Sequence, residues 1–149
     1  MRPDIAGITR RLEKLRECLG KLEPLRKKRR EEFAQQPYLR DIVERNLEVA
    51  IQCLIDMGNR IISIEDAEKP RDYYDIFLIL GNLQVLPPDF ARHIAPLAGF
   101  RNILVHDYVS VDWDLVHEHL QNLEDFYDFE THIKKWLKRR PRRNGTRRS

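Results

Sequence analysis

Apolar residues recur at three- and four-residue spacing along almost the whole chain, and this periodicity constrains the fold more than any other feature. The clearest stripe, which lies on one side of a helix, consists of Ile5, Ile8, Leu12, Leu15, Leu19 and Leu22. No segment of strand length alternates strictly between apolar and polar residues. The pattern therefore predicts an all-α protein, an up-and-down bundle of about five helices joined by short connections.

The apolar periodicity and the positions of the prolines place the five helices along the chain. They are expected over roughly 5–22, 37–64, 72–80, 87–104 and 112–137. The second should be central, because its apolar residues cover more than one face. Gly20 and Pro24 predict that the first frays near its end, and Pro96 predicts a kink or restart in the fourth. Asp112 is the expected N-cap of the fifth.

A chain of 149 residues is long enough for one domain with its own core. We expect a single helical domain over residues 1–140 and a flexible basic tail over residues 141–149. The longest aliphatic-aromatic run, residues 76–80, is far too short to span a membrane, and the N-terminus lacks the apolar stretch of a secretory signal. The two cysteines, Cys18 and Cys53, form no CxxC motif. These features predict a reduced, cytoplasmic protein.

Charge is distributed unevenly along the chain. Nine of the 27 Lys and Arg lie in residues 134–149, where there is no acid, so residues 1–133 carry 18 basic and 24 acidic side chains. An acidic body thus carries a basic C-terminus, which is suited to nucleic acid phosphates or to an acidic protein face. The cations expected to make these contacts are Arg139, Arg140, Arg142 and Arg143. The alternative interpretation is a solvated terminus without a partner.

The segment from Gly99 to Tyr108 differs from the rest because it places a cation, an amide, an imidazole and a phenol at the end of an apolar helix. An imidazole exchanges protons near neutral pH, and a guanidinium holds a phosphate, so Arg101 and His106 suit phosphodiester chemistry. On a continuous helix these two lie about 140° apart. They converge best if the helix ends near His106 or if two copies meet across a dimer. A capped helix end with a buried polar network is the alternative interpretation.

No metal site is expected from the sequence. His117 and His119 are two residues apart and point to different sides of a helix, which makes them poor joint ligands. His93 and His132 are isolated along the chain.

The run Arg101 to Tyr108 resembles the Arg-x-x-x-x-His-x-Tyr motif of the HEPN superfamily, and its flanks are similar to the HepT-like branch in particular. The segment from Glu44 to Asp56 resembles the long second helix of that branch, and the segment from Pro70 to Phe77 resembles its next block. The resemblance extends over about residues 5–130 in order and spacing, and the basic tail lies outside it.

This resemblance implies an all-α homodimer, with two motifs facing a shared cleft, that acts as the ribonuclease toxin of a type VII toxin–antitoxin module. Arg101 and His106 would be the catalytic pair of a metal-independent RNA cleavage, with Asn102 and Asp107 in support. No cofactor is implied for this chain. The implied partner is an MntA-like nucleotidyltransferase antitoxin, which would use ATP to attach AMP to Tyr108. The negative phosphate beside Arg101 would then exclude RNA.

Two other functions remain open from the residues. One is a non-catalytic helical subunit that binds a nucleotide or substrate for a nucleotidyltransferase, and the other is a helical adaptor with a basic tail for nucleic acid. For the dimer contact, we expect part of the surface to be the stripe Phe90, Ile94 and Leu97, because this stripe leads into the motif.

Overall fold

Every regular element is helical in the part of the chain that the computed structural model describes, residues 3–107 and 109–140. The predicted all-α fold is therefore confirmed. The helices are α1 (Pro3–Arg26), α2 (Arg30–Gln35), α3 (Tyr38–Ile64), α4 (Tyr73–Asn82), α5 (Pro88–Ile94), α6 (Leu97–His106), α7 (Trp113–Gln121) and α8 (Glu124–Arg139).

The structure divides two of the predicted helices and adds one short helix. Pro96 separates α5 from α6, as a proline without a backbone N–H favours a restart. The predicted fifth helix is divided into α7 and α8 after Gln121, and α2 lies in the charged segment before α3. Asp112 caps α7 as predicted, since its side chain accepts a hydrogen bond from the backbone N–H of Asp114 at 2.9 Å.

The prediction that α1 frays near Pro24 is wrong, because the helix continues to Arg26. Leu22 and Leu25 on either side of the proline are buried in the core. The Arg26 guanidinium also donates to the backbone oxygen of Gln121 and to the Glu124 carboxylate, both at 3.0 Å. Tertiary contacts thus hold the last turn against the local cost of the proline.

Helix α3 is the central element, as its broad apolar stripe predicts. It packs against α1, α2, α4, α6 and α7, and twelve of its residues are buried. Helix α3 lies very close to α4 at Gly58, where an added Cβ would lie 2.5 Å from Cγ2 of Ile76. Only glycine fits there, so the side chain of Ile76 on α4 lies almost against the backbone of α3. This contact fixes the first turn of α4 beside the last third of α3.

Local hydrogen bonds at both of its ends determine the conformation of the connection from α3 to α4. Asp66 adopts a left-handed backbone conformation (φ 56°), which lets the backbone N–H of Ala67 close onto the carbonyl of Ile62 at 3.0 Å. At the other end Asp72 caps α4 by accepting from the N–H of Asp75 at 2.8 Å, and the Asp75 carboxylate accepts from the N–H of Arg71 at 2.9 Å. The backbone N–H bond from Arg71 lowers the pKa of Asp75 below its ordinary value.

The proposed dimer stripe is not available on the surface. Ile94 and Leu97 are only 1% and 5% exposed, because both belong to the core of a single copy. The half-buried Phe90 packs against the ring of His132. The expectation that Ile94 and Leu97 contribute to a dimer contact is therefore wrong.

Among the described helices, none is both long and apolar enough to cross a membrane.

Candidate functional site

Arg101 occupies the middle of α6 and is half-buried against α3. Its Nε donates a hydrogen bond to Oε1 of Gln52 at 3.0 Å, and one of its terminal nitrogens donates to Oδ1 of Asn102 at 3.1 Å. Both partners are neutral amides, so they orient the guanidinium without cancelling its positive charge. An Arg held in this way can still receive an anion.

The side-chain amide of Gln52 is itself held by a second hydrogen bond, on the side away from Arg101. Its amide nitrogen donates to Oδ1 of Asp56 at 2.9 Å, which directs its amide oxygen at Arg101. The second carboxylate oxygen of Asp56 lies 3.6 Å from Nε of Arg11 on α1. Polar contacts therefore connect Arg11 on α1, through Asp56 and Gln52 on α3, to the motif arginine.

Tyr73 supports the guanidinium from another direction. The central carbon of the Arg101 guanidinium lies 5.2 Å from the centroid of the Tyr73 ring. A cation at this distance from an aromatic ring is attracted by the negative potential of its π system. Because Asp72 caps α4 one residue earlier, the first turn of α4 places this ring beside the motif.

His106 is the last helical residue of α6 and is exposed. The helix predicted over residues 87–104 thus ends two residues later than predicted, at the position that favours convergence of the motif side chains. No hydrogen bond or ion pair joins the side chains of Arg101 and His106 within one copy, in the part of the chain described here. The two groups thus lie on one short helix, one anchored against α3 and the other open to solvent.

The two supporting residues of the motif are exposed beside this pair. Asn102 accepts the bond from Arg101, and Asp107 ends α6, with its backbone N–H donating to the carbonyl of Ile103 at 2.9 Å. The carbonyl of Asp107 accepts from the N–H of Ser110 at 3.0 Å, so the chain turns sharply after the helix. The expected modification site, Tyr108, lies outside the described residues.

The basic C-terminus is described only as far as residue 140. Arg139 donates to the backbone oxygen of Gln84 at 3.1 Å, and the Arg140 guanidinium lies 5.0 Å from the ring centroid of Trp136. These two cations are therefore attached to the body of the protein. Arg142 and Arg143 lie outside the described residues.

Sequence reasoning assigned no role to Gln52, Asp56 or Tyr73. Gln52 and Asp56 are four residues apart on α3, so they share a face, and two polar residues at this spacing on a largely buried helix are the signal that was available. Nothing in the local sequence of Tyr73 indicates its contact with α6. Among the described residues, no group of three or more His, Cys, Asp or Glu side chains is arranged to hold a metal ion.

The site can therefore present an oriented cation for a phosphate together with an imidazole in contact with solvent. Known proteins share this fold and part of this sequence. A sequence profile described as "Ribonuclease HepT-like" matches residues 10–133. Among curated proteins, the tRNA nuclease HepT of Aphanizomenon flos-aquae is 39% identical over 71 residues, which is 48% of this chain and 48% of that protein. The match therefore spans about half the length of that relative.

A second curated relative and a solved structure extend the likeness. The mRNA nuclease HepT of Shewanella oneidensis is 30% identical over 101 residues, covering 65% of this chain and 76% of that protein. The solved structure, the tri-AMPylated HEPN toxin of Shewanella oneidensis in complex with MNT antitoxin, superposes with a TM-score of 0.77 at 27% identity, covering 86% of this chain and 96% of that one. The resemblance predicted from the motif is confirmed, and the chain belongs to the ribonuclease HepT-like family.

Proposed function

We propose that this protein is the endoribonuclease toxin of a toxin–antitoxin pair that acts in the cytoplasm. The observation that carries the proposal is the arrangement on α6, where Arg101 is oriented by neutral partners and an exposed His106 lies at the helix end. The two curated relatives, named as a tRNA nuclease and an mRNA nuclease, support RNA as the substrate class.

The proposed reaction uses the 2′-hydroxyl of the RNA as nucleophile. That oxygen attacks the neighbouring phosphorus while an imidazole removes its proton, the bond from phosphorus to O5′ breaks, and O5′ receives a proton. The products are a 2′,3′-cyclic phosphate and a 5′-hydroxyl, so the reaction consumes no water and needs no metal ion. Arg101 would hold the phosphate oxygens and stabilise the charge that develops on them.

A homodimer completes this chemistry in the proposal. One imidazole cannot both remove a proton and donate another in the same step, whereas two copies of His106 facing one cleft supply a base and an acid. Asn102 would keep the Arg101 guanidinium aligned, and the turn at Asp107 would hold the end of α6.

Neutralisation by a nucleotidyltransferase is the regulatory part of the proposal. We infer that an MntA-like partner transfers AMP from ATP to Tyr108. The phenol oxygen attacks the α-phosphorus, pyrophosphate leaves, and the phenol proton passes to solvent. The tri-AMPylated HEPN toxin solved in complex with MNT antitoxin supports AMP transfer to the toxin, and the choice of Tyr108 rests on the resemblance of the motif. A phosphate attached near Arg101 would occupy the cation that RNA requires.

The direct test is cleavage of end-labelled RNA by the purified protein in the presence of a chelator. We expect fragments that end in cyclic phosphate, and growth arrest when the gene is expressed without its partner. Purified protein that leaves RNA intact and does not arrest growth would reject the toxin function. It would favour the nucleotide-binding subunit as the alternative.

A further inference from the structure

A cavity of about 570 Å³ lies between the end of α3 and the start of α4, next to the motif. We call it the α3–α4 cavity, and its walls include Asn59, Ser63, Lys69, Arg71, Tyr73 and Ile76. Its volume is within the range of roughly 300–1,000 Å³ that is typical of small-molecule sites. The left-handed turn at Asp66 and the capping residue of α4, Asp72, both line this cavity.

The cavity shares a wall with the proposed phosphate site. Tyr73 lines the cavity, and the same ring lies 5.2 Å from the Arg101 guanidinium. A phosphate held by Arg101 would therefore have the cavity as its neighbour. In single-stranded RNA the nearest groups to a phosphate are the flanking nucleosides, whose bases are free to swing out and stack on aromatic side chains.

The polar lining fits a nucleobase better than a bare anion. Asn59 and Ser63 offer an amide and a hydroxyl. The carboxylates of Asp66 and Asp72 offset the two cations of the lining, Lys69 and Arg71, so the cavity has no excess of positive charge that would select an anion. Nucleobase edges carry both donors and acceptors, so they can use such a mixed lining. Ile62 and Ile76 supply an apolar floor against which a base can be buried.

The cations of the loop are placed to meet the RNA backbone outside the cavity. Lys69 is exposed and takes part in no ion pair among the described side chains. The Arg71 side chain is 86% exposed and is 3.5 Å from the Asp75 carboxylate, so its far end reaches solvent. Both can therefore contact phosphates while a base occupies the cavity.

We propose that the α3–α4 cavity is a base-binding subsite, which receives one nucleobase beside the scissile phosphate and sets the position of cleavage. This inference rests on the proposed ribonuclease function and deepens it. The shape of the cavity and the presence of Tyr73 in its wall are properties of the protein itself. The inference therefore does not depend on which RNA is cut.

The test fills the cavity with Ser63→Trp, a change at an exposed residue of α3. Thr9→Trp on α1 is the matched control, since Thr9 is also exposed and neutral but lies outside the cavity. Lys69→Glu, in the exposed loop, is a second variant that does not add bulk. Circular dichroism establishes that each variant is folded before any RNA measurement.

Two readouts separate this inference from the proposed function. The first is sequencing of the ends produced from a random RNA pool, and the second is the affinity for the same pool made uncleavable by 2′-O-methylation. We expect the wild type and Thr9→Trp to prefer certain bases at one position beside the cut. Ser63→Trp should lose that preference and bind about tenfold more weakly, and Lys69→Glu should also bind more weakly.

Each result decides one of the two ideas. Unchanged base preference and affinity in Ser63→Trp overturn the subsite but leave the ribonuclease intact. Weaker binding of the uncleavable pool by Ser63→Trp, with no cleavage by the wild type, rejects the ribonuclease and overturns the role of the cavity in setting the cleavage position, leaving the cavity as an RNA-binding site only. A wild type that neither binds nor cuts RNA overturns both. Unchanged RNA binding with loss of the nucleotidyltransferase complex assigns the cavity to a protein partner and overturns the subsite.

Discussion

The Nε atom of Arg101 on α6 donates to the amide oxygen of Gln52 on α3 at 3.0 Å, across 49 residues of sequence. This bond joins the motif helix to the central helix of the fold. Asp56 holds the other end of the Gln52 amide at 2.9 Å, so the amide cannot flip without losing both bonds. The orientation of the motif arginine is thus determined by a residue that lies outside the motif.

Replacing Gln52 by alanine should lower activity without removing any proposed catalytic group. We expect kcat/KM for RNA cleavage to fall about tenfold, equivalent to about 1.4 kcal/mol, because Arg101 loses one charge-assisted hydrogen bond. Asn46→Ala is the matched control, since Asn46 on the same helix donates to the carbonyl of Ile42 and not to the motif. Equal activity of the two variants and the wild type would show that Gln52 does not position Arg101.

The two proposed catalytic groups should be essential for toxicity but not for folding. Arg101→Ala and His106→Ala are each expected to reduce the cleavage rate by about 10²–10⁴ and to abolish growth arrest. Both side chains lie outside the apolar core, so circular dichroism should match the wild type. His93→Ala is the control for His106, because His93 is exposed and pairs with Asp125 away from the motif. Growth arrest by His106→Ala at equal expression would remove His106 from the mechanism.

Much of the fold was predictable because apolar periodicity survives in every long helix. The central position of α3 followed from a stripe wider than one face, and the cap at Asp112 followed from its residue type. The continuation of α1 through Pro24 was not predictable, since it depends on bonds from Arg26 to Gln121 and Glu124 almost a hundred residues later. Local propensity carries no information about such contacts.

The candidate site was predictable only as a set of residue types at the end of a helix. Arg101 and His106 are five residues apart, and the predicted end of the helix at residue 104 lies two residues before the observed end at His106. The contacts of Arg101 with Gln52 and Tyr73 arise from the close packing of α3, α4 and α6, which periodicity alone does not specify. The burial of Ile94 and Leu97 was missed for the same reason, since a surface stripe and a core stripe have the same spacing.

Stability should decrease as the pH falls below about 6.5, in part because of His119. Burial lowers the pKa of His119 below its ordinary value of 6.5, and its ring stacks on Phe100 with 3.9 Å between centroids. Between the folded and unfolded pKa values the unfolded chain binds more protons, so stability is fully present above pH 6.5 and is lost as the pH falls towards the folded value.

The check is thermal unfolding of the wild type and His119→Phe from about pH 8 to about pH 5. The variant keeps an aromatic ring against Phe100 but cannot be protonated, so its Tm should fall less on acidification. Some dependence should remain, because burial also lowers the pKa of His117 and His132. Parallel Tm curves for the two proteins would contradict a role for His119.

The basic tail should assist RNA capture rather than catalysis. Removing residues 141–149, which carry Arg142 and Arg143, should weaken RNA binding and reduce the slope of log affinity against log salt, because fewer phosphates are neutralised. The maximal cleavage rate should stay nearly unchanged. Arg139 and Arg140 remain in the truncated protein on the end of α8, so part of the salt dependence should persist. An unaltered slope would indicate a solvated terminus that does not contact RNA.

Tyr108 is expected to be the residue that the nucleotidyltransferase modifies. It follows the exposed end of α6 by two positions, close in sequence to a turn that a second enzyme can reach. The other tyrosines within the bundle have competing roles: Tyr73 lies against Arg101, and the hydroxyl of Tyr127 donates to the Glu23 carboxylate at 2.7 Å. Burial, together with that carboxylate, raises the pKa of Tyr127 to about 12, which makes it a poor nucleophile.

Peptide mass spectrometry after incubation with the partner and ATP measures this directly. We expect added AMP on the peptide that contains Tyr108 in the wild type, and none in Tyr108→Phe. Tyr74→Phe is the control, because Tyr74 is exposed but outside the motif and should leave the adduct unchanged. The modified protein should also lose RNA binding, since the new phosphate competes for Arg101. An adduct that persists in Tyr108→Phe would place the modification, and with it the control of the toxin, on a different side chain.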